Sequence, residues 1–172
     1  LTRGKHPDLS EIVKRNFSSI TPENALKWEQ LRTKEGDWKW DDADGFVNFG
    51  QAHNIHSVGH CLAWHSQIPD SVFKTAKGYI KPEQLRSKMT DHITTLVERY
   101  KGKLAAWDVV NEAVGDDNAM RKSHYYKILG EKFIDHAFNL AHEVDPKAHL
   151  MYNDYNIEKT GKREAAAALM QR

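Results

Sequence analysis

Apolar residues recur along this chain in two rhythms, one helical and one strand-like, and their alternation predicts the fold. Over residues 8–17, Leu9, Ile12, Val13 and Phe17 fall on one helical face, and Ser18-Ser19-Ile20-Thr21 then reads as a short strand. After a turn around Gly36 and the pair Trp38 and Trp40, Ala43, Phe46, Val47 and Gly50 repeat at helical spacing over 42–53. Asn54 stops that helix, and Ile55 to Trp64 reads as a strand. Between Pro82, suited to a first helical turn, and Gly102, suited to the position just past a last one, Leu85, Met89, Ile93, Leu96, Val97 and Tyr100 form the clearest amphipathic stripe. It feeds the nearly continuous apolar run 104–110, as expected of a strand covered on both faces. A further helix turns Ile128, Phe133, Ile134, Ala137, Phe138, Ala141 and Val144 inward and stops at Asp145-Pro146. The strand Ala148 to Asn153 and an Ala- and Glu-rich helix over 161–172 complete the chain. Four strands separated by helices predict right-handed βαβ units, hence an α/β fold with a parallel sheet.

Such a sheet fits either a small doubly wound domain or part of a closed (β/α)8 barrel. A complete barrel needs about 250 residues, and the chain has 172. The polar residues discriminate better than the length does. Glu23 and Asn24 follow the first strand, His60, Trp64 and His65 end the second, Asn111 and Glu112 the third, and Asn153, Asp154 and Tyr155 the fourth. In a barrel those ends converge on one mouth. No Gly-rich phosphate loop follows any strand, which removes the main support for a nucleotide-binding doubly wound fold. With no repeat, linker or low-complexity tract, residues 1–172 are expected to form one, partial, barrel domain.

Composition narrows the partners. Lys and Arg number 25 against 24 Asp and Glu, a formal net charge of +1, so neither nucleic acid nor an anionic membrane is an expected partner. No apolar run approaches the roughly 20 residues of a membrane span, and LTRGKHPDLS has neither the apolar stretch nor the cleavage site of a secretory signal. The single Cys61 excludes an intrachain disulfide and a Cys-rich zinc module. Ten His, five Trp and six Tyr suit a wet, aromatic-lined cleft.

Three segments can carry chemistry. In Trp107-Asp108-Val109-Val110-Asn111-Glu112, strand alternation puts Asp108, Val110 and Glu112 on one side and Trp107, Val109 and Asn111 on the other, until the strand ends and the backbone turns. A carboxyl ending a buried strand is poorly solvated, which favours the protonated form that a general acid needs; capping a loop or pairing with a Lys is the competing role for Glu112. Asp108, deeper in the strand, reads as structural and needs a hydrogen-bonding partner. In Gly59-His60-Cys61-Leu62-Ala63-Trp64-His65 the two His are five apart, which matches no helical zinc pair and no same-face strand pair, so no metal is expected. They suit hydrogen bonds to hydroxyls, with Trp64 either a platform for a sugar face or a core residue. Cys61 in an apolar strand reads as an inert core thiol. In Thr21-Pro22-Glu23-Asn24-Ala25-Leu26-Lys27-Trp28, Thr21 reads as a helix N-cap with Pro22 in the first turn. Glu23 then serves the helix dipole, or else Glu23, Asn24 and Lys27 present an acceptor and donors to a polyhydroxylated ligand. The remaining histidines, including His53, His56, His142 and His149, sit in helix ends and loops and read as surface residues.

The runs SSITPENALKWE, VGHCLAWHSQIPD, WDVVNEA and MYNDYN, in this order, resemble the glycoside hydrolase family 10 endo-1,4-β-xylanases over nearly the whole chain. The resemblance implies a (β/α)8 TIM barrel that cuts internal β-1,4 bonds of xylan with retention of configuration and with no metal or organic cofactor. It implies Glu112 as the acid/base and Asn111 as the residue on the 2-hydroxyl of the sugar being cleaved. Glu23, Asn24 and Lys27 would bind the next sugar toward the non-reducing end. His60 and Trp64 would line the cleaved sugar with His65 close by, Tyr155 would face the leaving-group side, and Asp108 would steady the hydrogen-bond network. Cys61 and Ala63 stand where GHTLVWHS is expected to carry Thr and Val. The chain then holds about strands 2 to 5, and the nucleophilic Glu of a later strand falls outside it. Retention requires two carboxyl groups about 5–5.5 Å apart, so the segment alone is expected to be inactive; the family pattern gives no support to Glu23 or Asp154 as substitutes. A part-barrel is also expected to leave parallel edges and some of its inner face uncovered. The loop Gly115-Asp116-Asp117-Asn118 is a place for an inserted module. The partners implied are xylan, xylo-oligosaccharides, the rest of the barrel and carbohydrate-binding modules. The location implied is secreted, periplasmic or cell-surface, because polymeric xylan does not enter cells. Two alternatives stay open: a retaining glycosidase acting on another β-linked glycan, and a xylan- or glucan-binding barrel fragment that hydrolyses nothing.

Overall fold

A computed structural model describes residues 7–33 and 35–171. In chain order the elements are α1 (Pro7–Asn16), β1 (Ser19–Ile20), α2 (Trp28–Leu31), α3 (Asp41–Ala52), β2 (His56–Trp64), a 3-10 turn (Asp70–Val72), β3 (Lys74–Thr75), β4 (Gly78–Tyr79), α4 (Pro82–Tyr100), β5 (Ala106–Asn111), α5 (His124–Leu129), α6 (Lys132–Val144), β6 (His149–Asn153) and α7 (Thr160–Met170). The four predicted strands form one parallel sheet in the order β1-β2-β5-β6; β3 and β4 add a small antiparallel pair that hydrophobic patterning did not reveal. No described helix is long and apolar enough to cross a membrane.

Helix α4 buries the predicted stripe of Leu85, Met89, Ile93, Leu96, Val97 and Tyr100, each worth about 1.5–3 kcal/mol for a large apolar side chain. Its first turn is closed by Gln84, whose side-chain oxygen accepts from the Lys81 N–H at 2.9 Å. Every residue of β5 is buried, while β6, at the sheet edge, is only half covered. The Trp107 ring lies so close to the neighbouring strand that a Cβ on Gly59 would meet it at 2.2 Å. Glycine there is a packing requirement.

The apolar face of α1 is uncovered: Leu9 and Ile12 are each 50% exposed and Phe17 is 55% exposed. Three local expectations are corrected. No helix starts at Pro22. The Lys27 N–H closes a turn on the Asn24 carbonyl at 2.9 Å, and regular helix begins only at Trp28, so Thr21 is not an N-cap. The helix expected to run through Ile128 to Val144 is two helices. Gly130, at φ 62°, breaks them, a conformation a side chain rarely adopts. The alternation expected along β5 also fails, with consequences at the site described below.

Candidate active site

The site is assembled by unequal strand lengths between two rungs of the sheet. On one rung Asp108 pairs with His60 and Met151, and further along, past the rung of Ala63, Val110 and Tyr152, Asn111 pairs with Trp64 and Asn153. Four steps along β2, three along β5 and two along β6 cover the same interval, so both ladders slip by one residue. The slip on β2 brings Trp64, rather than Ala63, beside Asn111. The slip on β5 lets Asp108 and Asn111, three apart, line the same cleft, where alternation had set them on opposite faces.

Glu112 then leaves the strand in the left-handed region, at φ 56°, a conformation costing a non-glycine residue roughly 1–2 kcal/mol. Its N–H donates to the Asn153 carbonyl at 2.8 Å and its carbonyl accepts from Arg121 Nε at 2.7 Å. This turn, expected where the strand ends, sends its side chain into the cleft beside Asn111. The carboxyl is 21% exposed, and its Oε2 accepts from the Trp64 indole N–H at 2.9 Å. His65 Nε2 lies 4.0 Å from the same oxygen. Burial, and next the charge of Arg121, hold the His65 imidazole below its ordinary range, against smaller opposite effects of Glu112 and Asp154.

The cleft has a volume of about 610 Å³ and takes Glu23, Lys27, His60, Trp64, Asp108, Asn111 and Glu112 from three separate segments. Buried Asp108 is 2.8 Å from His60 Nδ1. A carboxylate only accepts, so Nδ1 donates to it, which in the neutral ring leaves Nε2 as the acceptor. Lys27 is buried, donates to Asn24 Oδ1 at 3.0 Å and lies 4.5 Å over the Trp64 ring. Asn24 accepts a second bond from Gln67 at 3.2 Å, so it holds Lys27 from just outside the cleft lining. Trp64 is half-buried and lines the cleft. Asn153 Nδ2 donates to Asn111 Oδ1 at 2.7 Å. Buried Cys61 is no nucleophile: burial first, then the Asp108 charge, pushes its thiol up and disfavours the thiolate. Among the described residues no group of three or more His, Cys, Asp or Glu side chains is arranged to hold a metal ion.

Tyr155 does not line this cleft. Its hydroxyl donates to Asp116 at 2.9 Å and accepts from Arg121 at 3.1 Å, and its ring lies 3.5 Å under Lys162 Nζ. The Tyr155 hydrogen bond, with help from Lys162, keeps the Asp116 carboxyl below the usual range. Asp154 is fully occupied elsewhere, with Lys162 at 2.8 Å and the Tyr152 hydroxyl and Val114 N–H also on it. Sequence reasoning placed Asn153 at a strand end facing the mouth but gave it no role, and it missed Met151 and Tyr152 as cleft residues. It also missed Arg121 and Lys162, whose roles depend on loop conformation and leave no periodic trace. Among the remaining histidines, His53, His56, His142 and His149 are exposed as expected, but His92 is not at the surface: it is fully buried, with its ring stacked on Trp28.

The arrangement offers one carboxyl beside an indole and a cluster of donors and acceptors suited to a polyhydroxylated ligand. Residues 2–172 match the sequence model of glycosyl hydrolase family 10. Endo-1,4-beta-xylanase A of Xylanibacter ruminicola is 43% identical over 166 residues, covering 96% of this chain and 45% of its own length. Endo-1,4-beta-xylanase A of Caldicellulosiruptor sp. (strain Rt8B.4) is 45% identical over 163 residues, covering 90% of this chain and 24% of its own. A solved structure described as a novel GH10 endoxylanase from a sugarcane soil metagenome superposes with a TM-score of 0.94 at 52% identity, covering 98% of this chain and 49% of that one. The chain thus spans about half the length of that structure, and less than half of each of these two relatives. Sequence, sheet and cleft agree: the chain belongs to glycosyl hydrolase family 10, and its parallel sheet is part of that family's (β/α)8 barrel.

Proposed function

We propose that this chain is the acid/base-bearing part of an endo-1,4-β-xylanase. The observation that carries the reading is the Glu112 carboxyl, held by the Trp64 indole in a cleft that also presents Glu23, Lys27, His60 and Asn111. In the first step Glu112 donates its proton to the glycosidic oxygen as that bond breaks, while a second carboxylate attacks the anomeric carbon. In the second step the Glu112 carboxylate takes a proton from water, which displaces the sugar from its ester and regenerates both groups. The family resemblance places the nucleophile on a later strand, outside this chain, and supports neither Glu23 nor Asp154 in that role; Asp108 is committed to His60 and Asp154 to Lys162. Asn111, and His60 through Nε2, bind hydroxyls of the sugar at the cleavage point. Glu23, Asn24 and Lys27 bind the next sugar, and Tyr155 serves the leaving-group side. The substrates are xylan and xylo-oligosaccharides. Action outside the cell, whether secreted, periplasmic or surface-bound, follows from the size of the polymer.

The test uses the full-length protein on xylan. Release of xylo-oligosaccharides whose first-formed reducing ends have the β configuration by proton NMR, and a loss of about 10²–10⁴-fold in Glu112→Gln, are the expected results. First-formed α products, or a Glu112→Gln variant with unchanged turnover, would overturn the reading.

A further inference from the structure

We infer that Arg121 is a positioning residue for the acid/base, its guanidinium holding the backbone turn of Glu112 and the Tyr155 hydroxyl through one set of hydrogen bonds. The inference rests on the proposed role of Glu112. Arg121 Nε donates to the Glu112 carbonyl at 2.7 Å, and Nη2 donates to the Val114 carbonyl at 3.2 Å and to the Tyr155 hydroxyl at 3.1 Å. All three acceptors are neutral. A half-buried cation is therefore spent on geometry and not on an ion pair, and charge-assisted bonds of this kind are stronger than neutral ones. The arginine is itself anchored: its N–H donates to the Ala113 carbonyl at 2.8 Å, and a bridge between Val114 and Met120 closes the loop that carries it.

What this clamp holds is the least comfortable backbone of the cleft. Glu112 sits at φ 56°, and relaxation toward an ordinary extended conformation would swing its side chain away from Asn111. Its N–H is fixed to β6 and its carboxyl to Trp64, but its carbonyl is fixed only by Arg121 among the described contacts. A lysine could not replace the arginine, because a single ammonium on a flexible stem does not reproduce a planar fork toward three acceptors. The same fork joins the proton donor to Tyr155, so both sides of the scissile bond would share one reference point.

The experiment compares Arg121→Gln and Arg121→Lys in the full-length enzyme, reading kcat/KM on two aryl xylobiosides. One has a poor leaving group that needs protonation, and the other a dinitrophenyl group that leaves unaided. Both variants are expected to lose about 10–100-fold on the first substrate and little on the second, with unchanged circular dichroism. An equal loss on both substrates would mean a merely structural role, and no loss on either would refute the inference. If Arg121→Gln fails to fold, Arg121→Lys decides. Glu112→Gln is measured alongside: if it shows no leaving-group dependence, the reading of Glu112 has failed and not the clamp alone.

Discussion

Removing Lys162 tests how firmly the loops around the site are tied to the last described helix. Its side chain is 2% exposed and its ammonium lies 2.8 Å from the fully buried Asp154 carboxylate, at an angle poor for a true hydrogen bond. It also lies 3.5 Å over the Tyr155 ring and 3.6 Å from Asp116. Lys162→Met fills the same space and removes the charge, leaving a buried carboxylate with only the Tyr152 hydroxyl and the Val114 and Tyr155 N–H groups on it. Breaking a buried pair by deleting one partner costs about 3–5 kcal/mol. The imperfect angle and the surviving donors favour the lower end, about 3 kcal/mol, or roughly a 150-fold shift in the unfolding equilibrium. Urea unfolding of the full-length protein measures it. Adding Asp154→Asn, which removes the stranded charge, should recover at least about 1 kcal/mol. A Lys162→Met variant within about 0.5 kcal/mol of the parent, or a double variant less stable than the single one, would refute the argument.

Gly59→Ala drives a methyl into the Trp107 ring, with 2.2 Å as the starting separation; a loss of about 2–3 kcal/mol is expected, read from the same urea curves. His92 is fully buried between Trp28 and Trp38, and burial, then the Arg32 charge, holds its imidazole well below the usual range. The unfolded chain therefore binds the proton that the native state refuses. The contribution is complete above about pH 6.5 and is lost on acidification, by about 1.4 kcal/mol per pH unit while the native ring stays neutral. His92→Phe should flatten that acid slope, as followed by thermal melts across pH 5–7. Asp108→Asn deprives His60 Nδ1–H of its carboxylate and lets the other tautomer form, so kcat/KM on xylan should fall about 10–100-fold with little change in melting temperature.

The βαβ order, the buried face of α4 and the gathering of polar residues at strand ends were legible because each depends on local periodicity. Glu112, His60 and Trp64 could be named from their positions at those ends. Their relation to one another could not, because the ladder slips that align Trp64 with Asn111 are properties of pairs of strands. The Thr21–Lys27 segment shows the opposite failure. Its Thr-Pro-Glu start satisfies the rules for a helix, yet Lys27 is drawn to Asn24 and Trp64, and the turn follows the side chain. His92 is expected at the surface with the other histidines and is instead buried, since a histidine buried by stacking has no sequence signature of its own.

The one-residue offset in β5 has a further meaning. A ribbon keeping a perfect two-residue beat can show a ligand only every other side chain, so neighbours such as Asn111 and Glu112 would be divided between the groove and the protein interior. By giving up one beat and then turning sharply at Glu112, this ribbon spends adjacent residues on the same guest. Deleting Val109 would leave the composition of the groove almost intact while removing the offset that lets Asp108 and Asn111 share it.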